Sequence, residues 1–251
     1  MDLGLADHTY IVTGGTRGLG RATAEVLVAE GARVVISSRT QESVDDAVAA
    51  LGEAATGVVA DNADPETPAR LVAAARDTFG RLDGALISVG GPPAGPISER
   101  TEEEWHAAFD SVFLGALRLA TMVADALTDG GSIAFVLSTS VKTPVPNLGM
   151  SNGLRPGLAM AAKTLADELG PNGVRVNGLL PGRVDTDRVR DLDAMSGDAA
   201  TAKETQLAGI PLRRYGDPAE FGRTAAFLLS PASGYLTGVM LPVDGGLTRA
   251  L

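Results

Sequence analysis

The run Thr13-Gly14-Gly15-Thr16-Arg17-Gly18-Leu19-Gly20 has the residue types and spacing to hold a phosphate. It lies between an apolar stretch (Tyr10, Ile11, Val12) and an amphipathic one (Ala22, Val26, Leu27, Ala29), so it reads as the turn from a strand into a helix. Gly14, Gly18 and Gly20 let the backbone turn tightly and approach a ligand with no Cβ in the way, while free N–H groups at the helix start favour an anion. The expected ligand is a dinucleotide. The spacing is G-x-x-x-G-x-G rather than the commoner G-x-G-x-x-G, and the alternative is a turn that is merely tight.

The elements that must position this loop are legible from the apolar pattern. Short apolar runs at 10–12, 33–36, 57–59, 85–89, 133–137, 174–180 and 240–243 alternate with helical stretches of ten or more residues. Runs apolar on both faces and separated by helices predict a doubly wound α/β fold, a parallel sheet with helices on both faces. Ligands of such sheets bind outside the carboxyl ends of the strands, so the Pro/Gly-rich loops at 90–96 and 144–146 should line the site. With 251 residues and no repeat or linker, residues 1–251 are expected to form a single dinucleotide-binding domain.

Composition removes several classes of function. Twenty-one basic against 31 acidic residues give a formal charge of -10, and no basic block stands out, which argues against nucleic acid as a partner. Cysteine is absent and only His8 and His106 represent histidine, so disulfides, thiolate chemistry and a zinc site are not expected, and no metal is assigned. The N-terminus lacks a basic segment followed by an apolar one, and no apolar run reaches the ~18 residues of a membrane span; the expectation is a cytoplasmic protein without a membrane partner. Gly149-Met150-Ser151-Asn152-Gly153 matches the G-x-S-x-G pattern of a hydrolase nucleophile. It lacks the required partners, because Pro144 and Pro146 precede it and no histidine follows His106.

Further motifs occur in order. Asp61-Asn62 follows the third strand, Ser138 ends the fifth, Arg175-Val176-Asn177 begins the sixth, and Pro181-Gly182-Arg183-Val184-Asp185-Thr186 follows it. The tail holds Pro211-Leu212-Arg213-Arg214-Tyr215-Gly216-Asp217-Pro218, Tyr235-Leu236-Thr237-Gly238 and Val243-Asp244-Gly245-Gly246. With the glycine loop, this series resembles the short-chain dehydrogenase/reductase family over nearly the whole chain, most closely its 3-oxoacyl-carrier-protein-reductase-like members. The resemblance implies a Rossmann-type fold with a seven-stranded sheet, a substrate lobe at about 188–210, and a homotetramer. It implies that Gly14, Thr16, Arg17, Gly18, Leu19 and Gly20 surround the pyrophosphate, that Asp61 and Asn62 lie near the adenine, and that Gly90, Pro181, Gly182, Val184 and Thr186 border the rest of the cofactor. The second strand ends Ser37-Ser38-Arg39, with no acidic residue where NAD-preferring relatives place one. Arg17 and Arg39 together suit an additional 2'-phosphate, so the expected cofactor is NADP(H), the alternative being two solvated loop arginines.

The chain departs from the family at its chemistry. Relatives use a Tyr-x-x-x-Lys pair, a Ser thirteen residues before the Tyr, and an Asn on the preceding long helix. Register from Ser138 and from Leu165-Ala166-Asp167-Glu168-Leu169 keeps only the serine: Ser151 takes the Tyr position, Arg155 the Lys position and Val112 the Asn position, while Ile87-Ser88-Val89-Gly90 replaces Asn-Asn-Ala-Gly. A serine hydroxyl lies on the order of 4 Å nearer its own backbone than a phenol oxygen and is far less acidic. Arg155 can donate to ribose hydroxyls but does not release a proton at neutral pH, and Pro156 disfavours helical backbone at Arg155. Lys142, four residues past Ser138 and one of three lysines, is the candidate substitute acid, against the more common fate of a solvated lysine. Tyr215 is a weaker candidate on a distant loop, and Tyr10 and Tyr235 read as packing residues. Within the lobe, Leu192, Met195, Leu207 and Ile210 suggest an apolar pocket. The expected function is an NADP(H)-dependent oxidoreductase with an atypical site, built from Ser138, Ser151, Arg155 and Lys142, acting on a small or acyl carbonyl or alcohol. The alternative is a cofactor-binding homologue without redox turnover.

Overall fold

The computed structural model describes residues 2–195 and 199–250. The seven apolar runs become β1 (Thr9–Thr13), β2 (Arg33–Ser38), β3 (Ala55–Val59), β4 (Gly84–Ile87), β5 (Gly131–Val136), β6 (Val174–Pro181) and β7 (Met240–Val243). They form one parallel sheet in the order β3-β2-β1-β4-β5-β6-β7. The order reverses between β1 and β4, and the crevice at such a switch point is where doubly wound sheets take a ligand. β4 stops at Ile87, two residues short of the expected run. Ser88 has left the ladder for the Thr13 side chain: its N–H donates to Thr13 Oγ1 at 2.9 Å, and that hydroxyl donates back to Ser88 O at 3.1 Å.

Helices α1 (Gly18–Ala29), α2 (Gln41–Leu51), α3 (Thr67–Phe79), α4 (Glu102–Ala108), α5 (Gly115–Ala126), α6 (Gly149–Leu169), α7 (Asp187–Ala194), α8 (Ala199–Gly209) and α9 (Pro218–Leu229) complete the chain. Alternation along the strands feeds two cores. Tyr10, Val12, Val34 and Ile36 pack with Leu27 of α1 and Phe221 and Ala225 of α9, while Ile11, Val35 and Phe135 pack with Leu71 of α3, Leu119 of α5 and Leu158 of α6. A π-helical segment (Phe109–Leu114) joins α4 to α5, so one helical run spans Glu102–Ala126. Its most apolar stretch has a mean hydropathy of 1.5, the composition of a membrane span, yet Ala116, Leu119, Ala120 and Val123 are buried on the sheet.

Two local expectations are corrected. α6 runs unbroken through Pro156, although the ring deprives Asn152 O of its helical donor; the packing of Leu154, Leu158 and Ala162 into the core outweighs the local preference. Tyr235 is fully exposed in the single chain, since it projects from the turn after Pro231–Ser233, whereas Tyr10 is core as expected.

Candidate functional site

The β1–α1 turn is built on positive φ. Gly14 (φ 58°) and Gly18 (φ 55°) adopt left-handed backbone that side chains resist, and a Cβ on Gly20 would run into the Gly14 carbonyl. Gly15 N donates to Ser37 O at 3.2 Å, tying the turn to the end of β2. Arg17 precedes α1 in extended conformation, and its side chain makes no capping bond. The first N–H groups of α1 therefore remain available to an anion. Thr16 is half-buried, and Leu19 packs against the core that holds Leu27, which anchors the helix start.

The neighbouring strand ends present the other expected residues. Arg39, just past β2, and Arg17 are both exposed, and among the described residues neither pairs with a carboxylate or hydrogen-bond acceptor. Asp61 Oδ1 accepts the Ala63 N–H at 2.9 Å and Asp61 O accepts from Thr67 Oγ1 at 2.6 Å, a closed turn beyond β3. A Cβ on Gly115 would strike the carbonyl of Asn62, so a glycine is needed where α5 meets this loop. Past β4, Gly90 is exposed and a Cβ there would meet nothing within 4 Å. On the other side of the crevice, Pro181 ends β6 and Gly182 follows it, Val184 is buried, and the Thr186 methyl lies 3.7 Å from where a Gly18 Cβ would sit. The two expected cofactor loops thus face each other across the turn.

The expected catalytic residues gather around the end of β5. Ser138 caps a short helical turn (Thr139–Val141), its Oγ accepting the Ser140 N–H at 3.1 Å. Ser151, in the first turn of α6, is buried with its Oγ 3.2 Å from Ser140 Oγ. Arg155, one turn later, is buried and turned inward: Nη1 donates to Val136 O at 2.6 Å and Nη2 to Val89 O at 3.2 Å. Among the described residues it has no carboxylate partner, and burial pulls its pKa down to about 10, so it stays charged at neutral pH. Its observed partners are main-chain carbonyls at the ends of β4 and β5. Val112, at the expected Asn position, is buried in the π-helical segment. Lys142 is exposed at the end of the turn that Ser138 caps.

Tyr215 is engaged elsewhere. Its hydroxyl donates to Asp193 Oδ2 at 2.9 Å, while Arg183 Nη1 pairs with Asp193 Oδ1 at 3.0 Å; burial and this carboxylate push the phenol up to about 12. That cluster fixes the end of α7 to the chain entering α9. In the expected lobe, Ile210 is buried, Leu192 and Leu207 are half-buried and Met195 is exposed, and 196–198 lie outside the described residues. The loops past β4 and β5 do meet, through Gly149 N to Gly95 O at 3.0 Å and a bridge between Gly95 and Leu148. They enclose an open cleft of about 310 Å³ lined by residues that include Pro96, Ile97, Pro144, Val145, Pro146 and Asn152. Sequence reasoning missed Ser140, whose only signal was a hydroxyl two residues past Ser138, and the clasp between Thr13 and Ser88.

Comparison with known proteins accords with this geometry. The family model described as Enoyl-(Acyl carrier protein) reductase matches residues 14–248, from the glycine turn to the C-terminal segment. The chain belongs to the short-chain dehydrogenase/reductase family. Among relatives of this family, 2,5-dichloro-2,5-cyclohexadiene-1,4-diol dehydrogenase of Sphingobium indicum is 36% identical over 97% of this chain and 98% of that protein. Human dehydrogenase/reductase SDR family member 4 is also 36% identical, over 98% of this chain and 90% of its own length. In fold, the chain is similar to L-sorbose reductase from Gluconobacter frateurii complexed with NADPH and L-sorbose, with a TM-score of 0.94, 27% identity and full coverage of both chains. The short-chain dehydrogenase/reductase relatives named here are dehydrogenases and reductases, and the Rossmann-type sheet is shared.

Proposed function

We propose that this chain is an NADP(H)-dependent oxidoreductase acting on a carbonyl or alcohol, with 3-oxoacyl compounds within its range, through an atypical site. The observation that carries the reading is the cradle formed by Gly14, Gly18 and Gly20, the open start of α1 and the facing Thr186, together with Arg17 and Arg39, which are unpaired among the described residues and suit a 2'-phosphate. A solved relative in complex with NADPH supports the same cofactor. Gly14 through Gly20 hold the pyrophosphate, Arg17 and Arg39 the 2'-phosphate, Asp61 and Asn62 the adenine end, and Gly90, Pro181, Gly182, Val184 and Thr186 the nicotinamide end. When bound, the nicotinamide supplies or accepts the hydride.

The chain's own residues then have limited tasks. Ser138 positions the substrate oxygen. Ser151 stands at the acid position but is a weak acid with a short reach, and Lys142 is the remaining group beside the site able to deliver a proton. Turnover is therefore limited by proton delivery. A second reading, cofactor binding without redox turnover, is favoured by the inward turn of Arg155. We also propose that the chain works as a homotetramer in solution, its exposed apolar groups being Phe109 and Met122 on one helical run, Met160 on α6, and Tyr235 and Leu236 before β7.

The cofactor assignment is tested by titration. NADPH is expected to bind more tightly than NADH, and Arg39→Ala to weaken NADPH by ~10- to 150-fold while leaving NADH unchanged, the loss of one charge-assisted contact worth roughly 1.5–3 kcal/mol. Equal affinities that Arg39→Ala does not alter would refute it.

A further inference from the structure

Helix α7 is held by polar contacts more than by apolar burial. Of its eight residues, Asp-Arg-Val-Arg-Asp-Leu-Asp-Ala, five carry charge and only Val189 and Asp193 are buried. A helix this short does not persist on its own in water, and one valine gives it little apolar cover, so specific contacts must set its place. Asp193 supplies them at the far end: Oδ1 accepts from Arg183 Nη1 at 3.0 Å and Oδ2 from the Tyr215 hydroxyl at 2.9 Å. A buried carboxylate needs donors of this kind. Burial and this carboxylate push the Tyr215 phenol up to about 12, which keeps the donated proton in place.

The near end of α7 meets the glycine turn. Thr186, the residue before the helix, makes no side-chain capping bond, and its methyl lies 3.7 Å from where a Gly18 Cβ would sit. Arg183 and Tyr215, the two partners of Asp193, adjoin a main-chain splint: Asp185 N donates to Gly216 O and Gly216 N to Arg183 O, each at 2.9 Å, with Val184 bridged to Gly216. The Tyr215 side of the splint is firm. Arg214 pairs with Glu220, Asp217 caps α9, and a Cβ on Gly222 of α9 would strike the Ala22 carbonyl of α1, the helix that starts at the glycine turn. The contacts therefore close a ring, from α1 to α9, from the start of α9 to Tyr215, from Tyr215 to Asp193, and from α7 back to Gly18 through Thr186.

We propose that Asp193 is a positioning residue for the dinucleotide: with Arg183 and Tyr215 it clamps α7 where Thr186 closes against the glycine turn, and so slows release of the bound cofactor. The carboxylate takes no part in hydride or proton transfer. The inference rests on the NADP(H) reading of the glycine turn, and its effect belongs to the dissociation rate, where a clamp on a bound ligand acts.

Stopped-flow measurement of NADPH binding and release tests it. Asp193→Asn, which exchanges a charged acceptor for a neutral one, is expected to speed release about tenfold and to leave association within about twofold of native. Tyr215→Phe keeps the ring and should speed release about threefold, whereas Arg190→Met, at an exposed ion pair of α7, should leave it unchanged. A double-mutant cycle separates positioning from general weakening of the fold: in a Thr186→Ala background, where the contact with the glycine turn is gone, Asp193→Asn should alter release by less than about twofold. Native release rates in Asp193→Asn and Tyr215→Phe, or an Asp193→Asn effect of undiminished size in the Thr186→Ala background, overturn the proposal. Should Asp193→Asn not fold, Tyr215→Phe carries the same cycle. Failure of the cofactor reading looks different: the native chain itself binds no NADPH, and the inference falls with it.

Discussion

Arg155 holds the Val136 and Val89 carbonyls at 2.6 and 3.2 Å, and its charge lies in a buried setting with no carboxylate beside it among the described residues. A guanidinium is weakly hydrated for a cation, which makes it the basic group best able to accept such a place. The same bonds commit two of its nitrogens to main-chain carbonyls. Ser151, buried against Ser140, cannot reach as a phenol would. These facts set the expected behaviour of a restored pair. Ser151→Tyr with Arg155→Lys should raise NADPH-linked reduction of a carbonyl panel by up to ~10²- to 10⁴-fold, the range of a positioned general acid. The variant should also lose roughly 1–2 kcal/mol of stability, since an ammonium replaces a fork that holds two carbonyls. Pro156 needs no change, because α6 is continuous through it. A native rate at the level of the restored variant, abolished by Lys142→Ala, would mean that Lys142 delivers the proton without limiting turnover.

At the scale of elements, what was legible followed from short-range pattern. β1 is buried along its whole length, and its uninterrupted apolar run announced a strand covered on both faces. The glycine turn and the helix after it were equally plain. What was not legible joins residues distant in the chain: Thr13 clasps Ser88 across 75 positions and Arg188 meets Pro92 across 96, and no local periodicity encodes either. The inward turn of Arg155 escaped for the same reason, since its acceptors are main-chain atoms that any residue supplies. α9 shows a local code that can be tested. Asp217 and Glu220 form a capping box, and Arg214 bonds Glu220 at 2.6 and 2.7 Å, holding its carboxyl at about 2. Because this pKa is depressed in the folded chain, its contribution is present above the ordinary carboxylate range and is lost as pH falls toward about 2. Glu220→Gln should therefore be less stable than the parent at neutral pH, with the gap in denaturant midpoint narrowing steadily on acidification. A gap that stays constant with pH would contradict the assignment.

Several large apolar side chains are exposed in the single chain. Phe109, Met122, Met160, Tyr235 and Leu236 are exposed, and β7 is an edge strand with half-buried Leu241 and Val243. We propose that they form contact surfaces between copies of the chain. Light scattering at micromolar concentration should report a tetramer, and a stable monomer would reject that assembly. The proposed reaction is read from the hydride itself. NADPH deuterated at the transferring position is incubated with the native chain and a panel of oxo acids and neutral ketones, and the products are weighed by mass spectrometry. Slow but measurable deuterium is expected in a hydroxy product, strongly reduced by Ser138→Ala. NADPH that binds tightly yet passes no deuterium to any product would contradict the proposed reaction.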